Sequence, residues 1–467
     1  MTAAQRQRAG GRRRPLRFVV LVVLVFVCGF VYGWPTGRRG VFPYPQLAAA
    51  RSLLSGRGST TASDAVPGRF RAWRADDRPS GLSDDQRAEV ERLMALGHTS
   101  GSRPTPAVAG VTAHDRESAL PGVNLIVSGH GPVALLVDME GRVLHRWSYD
   151  FFDVWPDASG ARDDRDAQFW RRAHVFPNGD LLAIYDRLGL VKLDARSNLL
   201  WSYPGACHHD LCVTEDGLIY ALEQEAGVIS RFSENRPVLV DCVSVLSPDG
   251  RLLRRVSLLE AFERSPYAPL LQRTPEAGDV FHTNTIEVLD GSLAHVSPAF
   301  RAGNVLLCVR NIEAVVVVDM ESEEVVWALT GRWSRQHQPT VLGNGHLMVF
   351  NNEAGPVAAG GAPTGPRGSS VVELDPFTQT TFWTYSGTAG RPLYSETCGS
   401  CQRLPNGNTL ITESDNGRAL EVTPGGTIVW EFVSPFRAGE DGELIATLLE
   451  AVRLPESFGA GWLGEGM

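Results

Sequence analysis

A unit of roughly 50 residues recurs from residue 121 almost to the end of the chain, and this repeat limits the possible folds more than any other feature. The first half of the unit crosses a glycine turn between two strands, as in HVFPNGDLLAIYD, CVTEDGLIYALEQ, VLGNGHLMVFNN and RLPNGNTLITES. The second half leads into a strand that often ends in tryptophan, as in LLVDMEGRVLHRW, VVVDMESEEVVWAL and EVTPGGTIVWEF. Both halves alternate apolar with polar residues around tight turns, which predicts short antiparallel strands.

The count of half-units indicates how the repeat closes. There are six second halves and only five first halves, and EAVRLPESF at 450–458, which resembles AHVFPNGD, supplies the missing one. A C-terminal strand that completes the first unit closes a ring. The sequence therefore predicts an all-β fold, a six-bladed β-propeller over 121–458 with a tail at 459–467. A β-sandwich is the alternative, but it does not account for the repeat. One unit is longer, and 257–279 is predicted to be a helical insertion between blades.

The N-terminal region differs from the repeat in composition. An arginine-rich segment, 1–15, precedes an apolar run at 16–34 that is long enough to span a bilayer as a helix. Because arginines stay on the cytoplasmic side, the run predicts a retained signal anchor with the rest of the chain exported. A cleaved signal peptide is the alternative, although no A-x-A site follows the run. Residues 35–80 are rich in Pro, Gly, Arg and Ser, which is typical of a linker. The linker is predicted to extend over 35–120, with one short helix at 84–96.

Charge and cysteine content narrow the function class and the compartment. The chain has 44 Lys and Arg against 53 Asp and Glu, a formal charge of −9, which argues against nucleic acid as a partner. Cys28 lies within the apolar run, and six further cysteines permit disulfides in an exported domain. In TCGSC, Cys398 and Cys401 are predicted to form a structural disulfide, since no βαβ context suggests a redox centre. The other four are Cys207, Cys212, Cys242 and Cys308.

The turn glycine of each blade serves as a ruler for the histidines. Three of the eleven histidines stand eight or nine residues before their own turn glycine: His209 before Gly217, His282 before Gly291 and His337 before Gly345. This position is the start of the innermost strand, which lines the central channel of a propeller. Arg310 ends the second strand of the His282 blade, and antiparallel pairing brings it to the same channel mouth. The ruler predicts one site with three imidazoles and one guanidinium.

The stretch CHHDLC at 207–212 looks like a compact metal motif, yet the repeat singles out only His209 within it. If the strand is regular there, the side chain of His208 points to the opposite face. Asp210 could orient an imidazole or bind backbone groups, and the sequence leaves both open.

Three chemistries fit three histidines near an arginine. Three imidazoles can hold zinc, but a fixed guanidinium beside a dication is repulsive, so no metal is predicted. Redox chemistry through Cys398 and Cys401 is the second option. Group transfer gives every member a task. One imidazole attacks an anionic ester, another serves as acid and base, and the arginine binds the transferred oxygens. This third chemistry requires no cofactor.

Four motifs occur in order on the repeat frame: HHD, DVFHTNTI, CVRN and RQHQPTVLGNGHLMVFNN. In this order they resemble the bacterial arylsulfotransferase (aryl-sulfate sulfotransferase) family over 121–458. The resemblance implies a six-bladed propeller in the periplasm. The apolar run at 16–34 adds the expectation of a single-pass anchor in the bacterial inner membrane with a cytoplasmic N-terminus. It also implies transfer of sulfate from a phenolic sulfate ester to a phenolic acceptor, without the nucleotide donor PAPS. The implied mechanism is ping-pong, through a sulfohistidine.

The resemblance also implies residue roles. His337 matches the transiently sulfated nucleophile. The other active-site positions are matched by His209 in HHD, His282 in FHTN and Arg310 in VRN. Asn284 and Asn351 fall within the motifs and are expected to line the substrate pocket. The family's usual FDN reads FNN here, with Asn351 where aspartate is common, and the best-known members are soluble after signal cleavage whereas this chain is expected to be anchored.

Two other functions compete with this interpretation. A propeller can serve as a non-catalytic periplasmic binding or scaffold module, since the fold alone does not decide function. That hypothesis predicts that alanine is tolerated at His209, His282 and Arg310. A metal-dependent or quinone-dependent enzyme is the third possibility.

Overall fold

Six antiparallel sheets make up most of the described structure, and each corresponds to one repeat of the sequence. The computed structural model describes residues 70–72, 108–158, 165–227, 229–232, 238–276, 278–353, 368–388, 390–438, 442–459 and 461–463. The predicted membrane segment at 16–34 and the short helix predicted at 84–96 lie outside these residues. Within the described ranges, no helix has the length and apolar character needed to cross a membrane.

The strands are numbered in chain order, and two precede the first blade: β1, Phe70–Ala72, and β2, Gly110–His114. Blade 1 contains β3, Val123–Ser128, β4, Val133–Val137, and β5, Val143–Ser148. Blade 2 contains β6, Arg172–Val175, β7, Leu181–Tyr185, β8, Gly189–Leu193, and β9, Leu199–Tyr203. Blade 3 contains β10, Cys207–Val213, β11, Ile219–Gly227, β12, Val238–Leu246, and β13, Leu252–Ser257, with β14, Gly278–Asp279, added alongside β12.

Blade 4 contains β15, Thr283–Val288, β16, Val305–Val309, β17, Ala314–Asp319, and β18, Glu324–Thr330. Blade 5 contains β19, His337–Val341, β20, Leu347–Asn351, β21, Ser370–Leu374, and β22, Thr381–Tyr385. A hairpin of β23, Gly387–Thr388, and β24, Arg391–Pro392, leads to blade 6, which contains β25, Ser400–Arg403, β26, Thr409–Glu413, β27, Arg418–Val422, and β28, Ile428–Val433. The last strands are β29, Arg437–Ala438, β30, Leu444–Ala446, and β31, Leu448–Leu454. Short helices lie between strands: α1, Phe151–Val154, α2, Leu258–Glu263, and 3₁₀ turns at Arg165–Gln168, Ala268–Arg273, Pro298–Phe300, Arg310–Ile312 and Ser414–Asn416.

The ring closes through the C-terminal strand, as the half-unit count predicts. Strand β31 pairs antiparallel with β3, with Leu125 opposite Val452, and becomes the first strand of blade 1. The first strands of successive blades contact one another around the centre, so they are the innermost strands. The six-bladed propeller is therefore confirmed.

The other end of the propeller reaches further back than residue 121. Strand β2 pairs with β28 as a fifth, outermost strand of blade 6, with Gly110 opposite Val433. It falls in the segment that composition assigned to the linker. The physical reason is the unpaired backbone edge of β28, which β2 covers. The propeller is thus fastened by an inner strand from the C-terminal side and an outer strand from the N-terminal side.

The tryptophans that end many repeats join neighbouring blades. Four indole N–H groups donate to turn carbonyls of the next blade: Trp147 to Gly179 at 2.9 Å, Trp201 to Pro248 at 3.2 Å, Trp383 to Pro424 at 2.9 Å and Trp430 to Met139 at 3.0 Å. Trp147 and Trp430 are fully buried. A buried tryptophan combines a large apolar contact with one donor that needs an acceptor. The repeated tryptophan is therefore a docking residue between sheets.

The long unit contains the predicted helical insertion, and this insertion positions a carboxylate near the channel. Ser257 caps α2, since its side chain accepts from the backbone N–H of Glu260. After the 3₁₀ turn the chain forms β14, which pairs parallel with β12 and sets Asp279 opposite Leu239. Asp279 is thereby fixed three residues before His282.

The predicted disulfide between Cys398 and Cys401 is not present. No disulfide joins the six cysteines of the described chain, which all stand in or beside sheet strands. Burial raises the pKa of Cys401 to about 12, which keeps that thiol protonated and unreactive. The sequence predicts a covalent crosslink between Cys398 and Cys401. In the structure both are thiols, buried beside the strands of the sheet.

Candidate active site

The inner strands of blades 3, 4 and 5 begin with irregular backbone at one mouth of the channel. His209, His282 and Gln338 adopt left-handed conformations with φ of 56°, 51° and 49°. The pairing register shifts at the start of each of these strands. Left-handed non-glycine residues cost on the order of 1–3 kcal/mol, and β-bulges commonly redirect side chains near functional sites. The backbone is therefore bent where the sequence places the histidines.

The structure brings the four predicted residues together. The rings of His209 and His282 lie edge to face, with centroids 4.7 Å apart. The backbone N–H of Arg310 donates to the carbonyl of His282 at 3.4 Å. Next to His337, the backbone N–H of Gln338 donates to Oγ1 of Thr285 in blade 4 at 3.0 Å. Burial, then the charges of Arg310, Arg171 and His282, hold the pKa of His337 well below its usual range. Residues from three blades thus converge at the channel mouth.

The hydrogen bonds of His337 define its tautomer. Its Nδ1 lies 2.8 Å from Oδ1 of Asn352 and 3.0 Å from the carbonyl oxygen of Arg335. Both partners are acceptors, so Nδ1 carries the proton and donates. The lone pair then resides on Nε2, the atom that faces away from these bonds. Burial keeps the ring neutral, because it lowers the pKa of His337.

Asn352 is itself held in one orientation. Its Nδ2 donates to the carbonyls of Ser395 at 2.9 Å and Cys398 at 2.7 Å. A carbonyl can only accept, so the amide nitrogen must face these two groups and Oδ1 must face His337. The side chain is fully buried. Asn352 is therefore the residue that sets the tautomer of His337.

The Asn352→Ala variant is expected to lose about 10²-fold in kcat/KM and about 1–3 kcal/mol in the free energy of unfolding. The activity loss follows from an untethered His337 ring. The stability loss follows because the Cys398 carbonyl loses its donor and the Ser395 carbonyl keeps only the Ser369 hydroxyl. Steady-state kinetics with an aryl sulfate and urea unfolding measure the two quantities.

Asn351→Ala is the matched control for Asn352. Among the described residues, the Asn351 side chain accepts only from the backbone N–H of Ser334, at 2.9 Å, and forms no hydrogen bond with His337. Its kcat/KM is expected to stay within a few-fold of wild type. Equal activity losses in the two variants would contradict the positioning role of Asn352.

His282 is paired with a carboxylate. Its Nδ1 donates to Oδ2 of Asp279 at 2.7 Å, and its backbone N–H donates to Oδ1 at 2.9 Å. Burial raises the pKa of Asp279, but the hydrogen bond and charge of His282 outweigh burial and bring this pKa down to about 2. The carboxylate fixes the orientation of the ring. The His282 side chain is 25% exposed, and its Nε2 is not used in the pair with Asp279.

His209 and His208 do not point to opposite faces. Their Nδ1 atoms lie 2.8 Å apart, and both side chains are buried. The left-handed backbone at His209 breaks the alternation that a regular strand requires. On the other side of the pair, Nε2 of His208 lies 3.6 Å from Asp241. Burial, and then Arg171, hold the pKa of His209 well below its usual range, so its ring is neutral.

Arg310 supplies positive charge beside His337. Its Nη1 donates to Oδ1 of Asn311 at 3.0 Å, and burial, then Arg335, lower its pKa. A cavity of about 530 Å³ opens beside it, within the range of small-molecule sites. The cavity is lined by Arg273, Arg310, Asn311, Ile312, Glu313, Gly331, Ser334 and Arg335.

The two asparagines expected to line the pocket have other contacts. Asn284 is 2% exposed, and its Nδ2 donates to the carbonyl of Gln336 at 2.8 Å, one residue before His337. Asn351 supports the loop at Ser334 instead. Asp210 also binds backbone, accepting from Leu211 at 3.0 Å and Ile286 at 3.1 Å. These residues fix the frame of the site and do not face the cavity.

Three residues of the site escaped the sequence interpretation. Asp279 stands three residues before His282, where a carboxylate near a candidate histidine is a usable signal. Asn352 is the second asparagine of FNN, and only the hydrogen bonds distinguish it from the first. Arg171 stands eight residues before Gly179, so counting back from the turn glycine of blade 2, as for the histidines, would have found it.

The described residues contain no group of three or more His, Cys, Asp or Glu side chains arranged to hold a metal ion. His209 and His282 are adjacent, but His282 is committed to Asp279 through Nδ1. His282 and His337 are each held through Nδ1 by a side-chain acceptor, Asp279 and Asn352 respectively.

Comparison with solved structures finds other proteins of low sequence identity. A protein of unknown function from Bacteroides caccae has a TM-score of 0.41 and 12% identity, covering 67% of this chain and 94% of its own. A streptogramin B lyase has a TM-score of 0.40 and 11% identity, covering 76% and 95%. The WD40 β-propeller domain of Doa1 has a TM-score of 0.39 and 11% identity, covering 76% and 96%. At these scores the likenesses carry no argument about function.

Sequence comparison identifies the family. No curated protein matches the chain. The family model described as Arylsulfotransferase (ASST) matches residues 175–435, which is more than half of the chain and includes His209, His282, Arg310 and His337. The motifs that carry the resemblance and the matched region therefore coincide, and the chain belongs to the arylsulfotransferase family.

Proposed function

We propose that the chain transfers a sulfuryl group from a phenolic sulfate ester to a phenol, independently of PAPS, through a covalent intermediate on Nε2 of His337. The observation that carries the proposal is the fixed tautomer of His337, a neutral buried imidazole whose lone pair is on Nε2. Family membership supports a sulfotransferase of this class.

In the first half-reaction, the Nε2 lone pair attacks sulfur and forms an N–S bond. The bond from sulfur to the aryl oxygen breaks, and the electron pair leaves with the aryl oxygen. Protonated His282 gives its Nε2 proton to that oxygen, and the phenol departs. Arg310 stabilises negative charge on the sulfuryl oxygens. The sulfated ring becomes more cationic, and the two acceptors on Nδ1 stabilise it.

In the second half-reaction, the acceptor phenol gives its proton to neutral His282 and its oxygen attacks sulfur. The N–S bond breaks, and its electron pair returns to Nε2 of His337. Asp279 stabilises the imidazolium that forms on His282. His209 lies against His282 and is proposed to orient the phenol oxygen. Both residues then return to their starting protonation states.

The assay for this function uses the full-length chain, p-nitrophenyl sulfate as donor and phenol as acceptor. Release of p-nitrophenol and formation of phenyl sulfate should occur in equal amounts. Initial rates at several acceptor concentrations should give parallel double-reciprocal lines, as expected for ping-pong kinetics. Absence of transfer beside an active control sulfotransferase would favour the non-catalytic binding or scaffold module.

The sulfation half-reaction is expected to resist acid. The pKa of His337 lies well below 6.5, so its neutral, nucleophilic form persists as the pH falls through the range where an ordinary histidine is protonated. Between about pH 7.5 and about pH 5.5, an ordinary histidine would lose about tenfold in its neutral fraction. The rate of the single-turnover burst of p-nitrophenol is expected to stay nearly constant over this range. Samples are quenched into alkali so that p-nitrophenol can be detected. A tenfold decrease across this range would contradict the neutral nucleophile.

We also propose that the propeller is exported and held at the inner membrane by residues 16–34. The support is the arginine-rich segment before an apolar run of bilayer length. Alkaline phosphatase fused after residue 467 should be active only if this end is exported, and the fusion should remain in the membrane fraction. Activity in the soluble periplasmic fraction would instead indicate a cleaved signal peptide.

A further inference from the structure

Arg171 lies at the blade 2 position that corresponds to His209 in blade 3 and His337 in blade 5. It stands eight residues before Gly179, and its backbone N–H donates to the carbonyl of Ile184 at 2.8 Å, just before β6 begins. The residue is 4% exposed. A guanidinium has five N–H donors and no acceptor, so burial to this degree requires acceptors nearby.

Within the described ranges, no residue forms an ion pair or side-chain hydrogen bond with the Arg171 guanidinium. Two carboxylates lie nearby, Asp210 and Glu450: burial raises the pKa of each, and the charges of Arg172 and then Arg171 oppose that rise. Both are bound by the neighbouring Arg172, through an Nε–Oδ1 distance of 2.8 Å to Asp210 and an Nη1 contact with Glu450. The carboxylates of Asp210 and Glu450 are therefore paired with Arg172 and not with Arg171.

Arg171 also lies close to two of the imidazoles. After burial, it is the largest influence that lowers the pKa of His209, and it lowers the pKa of His337 together with Arg310. Arg171 comes from blade 2 and Arg310 from blade 4, so His337 of blade 5 has a cation from each. With His209 and His337 neutral, the guanidinium groups of Arg171 and Arg310 both act on uncharged imidazoles.

We infer that Arg171 is a second substrate-binding arginine, which donates to the sulfuryl oxygens of the donor ester alongside Arg310. A sulfuryl group has three oxygens, and planar guanidinium groups bind such oxyanions through paired N–H donors. The identity of the anion rests on the proposed sulfotransfer, whereas anion binding at this position does not.

The test compares full-length variants for inorganic sulfate binding by titration calorimetry and for transfer from p-nitrophenyl sulfate. Arg171→Met should weaken sulfate binding about tenfold or more and reduce kcat/KM by about 10²-fold. Arg171→Lys keeps the charge but not the paired donors, so it should recover part of both. Unfolding midpoints of the variants report whether any loss reflects folding, and Arg171→Lys is the informative variant if Arg171→Met does not fold.

Arg187→Met is the matched control. Arg187 is exposed and its Nε donates to Gln224 at 3.1 Å, yet its charge also lowers the pKa of His209. Arg187 therefore adds positive charge near His209 but offers no N–H donor to a bound anion. Its loss should change sulfate affinity by less than about threefold, because exposed charges are screened.

The outcomes separate the two proposals. If Arg171→Met binds sulfate and transfers sulfuryl groups like wild type, the inference is overturned. The inference is also overturned if wild type binds no measurable sulfate. A loss of stability with unchanged affinity and kcat/KM overturns it too, since Arg171 would then only balance Asp210 and Glu450. If wild type catalyses no transfer but its sulfate binding depends on Arg171, the proposed function fails and the anion site stands.

Discussion

Replacing His337 with alanine is expected to lower kcat/KM for aryl-sulfate transfer on the order of 10⁴-fold or more, the largest effect of any single substitution in this chain. The reason is that Nε2 of His337 forms the bond to sulfur, and no other imidazole at the mouth has both its Nδ1 proton held by two acceptors and a charge environment that keeps it neutral. Wild type exposed to donor without acceptor should accumulate one sulfuryl group on the peptide containing His337. Peptide mass mapping at alkaline pH, where the N–S bond survives, detects it.

His295→Ala is the control for the labelling experiment. His295 is exposed, and its Nδ1 contacts only the carbonyl of Ser292, at 3.0 Å. This variant should retain full activity and the label on the His337 peptide. A His337→Ala protein that still transfers at the wild-type rate, or a label on another peptide of the wild type, would assign the nucleophile elsewhere.

Replacing Arg172 with methionine is expected to cost about 3–5 kcal/mol in the free energy of unfolding. Arg172 is 6% exposed and lies at the centre of the ring. It contacts Asp210 of blade 3, Glu450 of blade 1 and, at 2.9 Å, Oε1 of Gln338 of blade 5. Its removal leaves two buried carboxylates without their cation. Urea unfolding of the full-length chain measures the loss.

The loss should depend on pH in a defined direction. Burial raises the pKa of Glu450 to about 7, even though Arg172 lowers it, and removal of Arg172 raises it further. A carboxyl whose folded pKa exceeds its unfolded value of 4.5 stabilises the fold at low pH and loses that contribution as the pH rises through the folded pKa. Arg172→Met should therefore be more destabilised at about pH 8 than at about pH 5.5.

Two further variants test the assignment. Adding Glu450→Gln to Arg172→Met should recover part of the stability, because one unpaired charge is removed. Arg231→Met is the exposed control, since its pair with Glu263 at 2.8 Å has both side chains at least 40% exposed. It should change stability by less than about 1 kcal/mol. An equally small loss in Arg172→Met would mean that the central ion pairs do not hold the blades together.

The missed residues show where sequence reasoning stops. Asn351 and Asn352 are neighbours of the same type at the end of one strand, and successive residues there face different surroundings. Only the carbonyls of Ser395 and Cys398, which lie in the connection to blade 6, decide that Asn352 is the one that holds His337. No local pattern contains that information.

The sequence by itself determined the number of blades, the strand that closes the ring and the mouth at which His209, His282, Arg310 and His337 meet. These follow from a repeat, because identical units stack with the same strand order and put equivalent positions at equivalent heights. The tertiary structure alone decided three features: the tautomer of His337, the pairing of Arg172 rather than Arg171 with Asp210, and the absence of the disulfide expected at Cys398 and Cys401. Each depends on the three-dimensional surroundings of the residue. There, hydrogen-bond geometry and burial, rather than residue type, determine which group donates, which carries charge and which is left for a substrate.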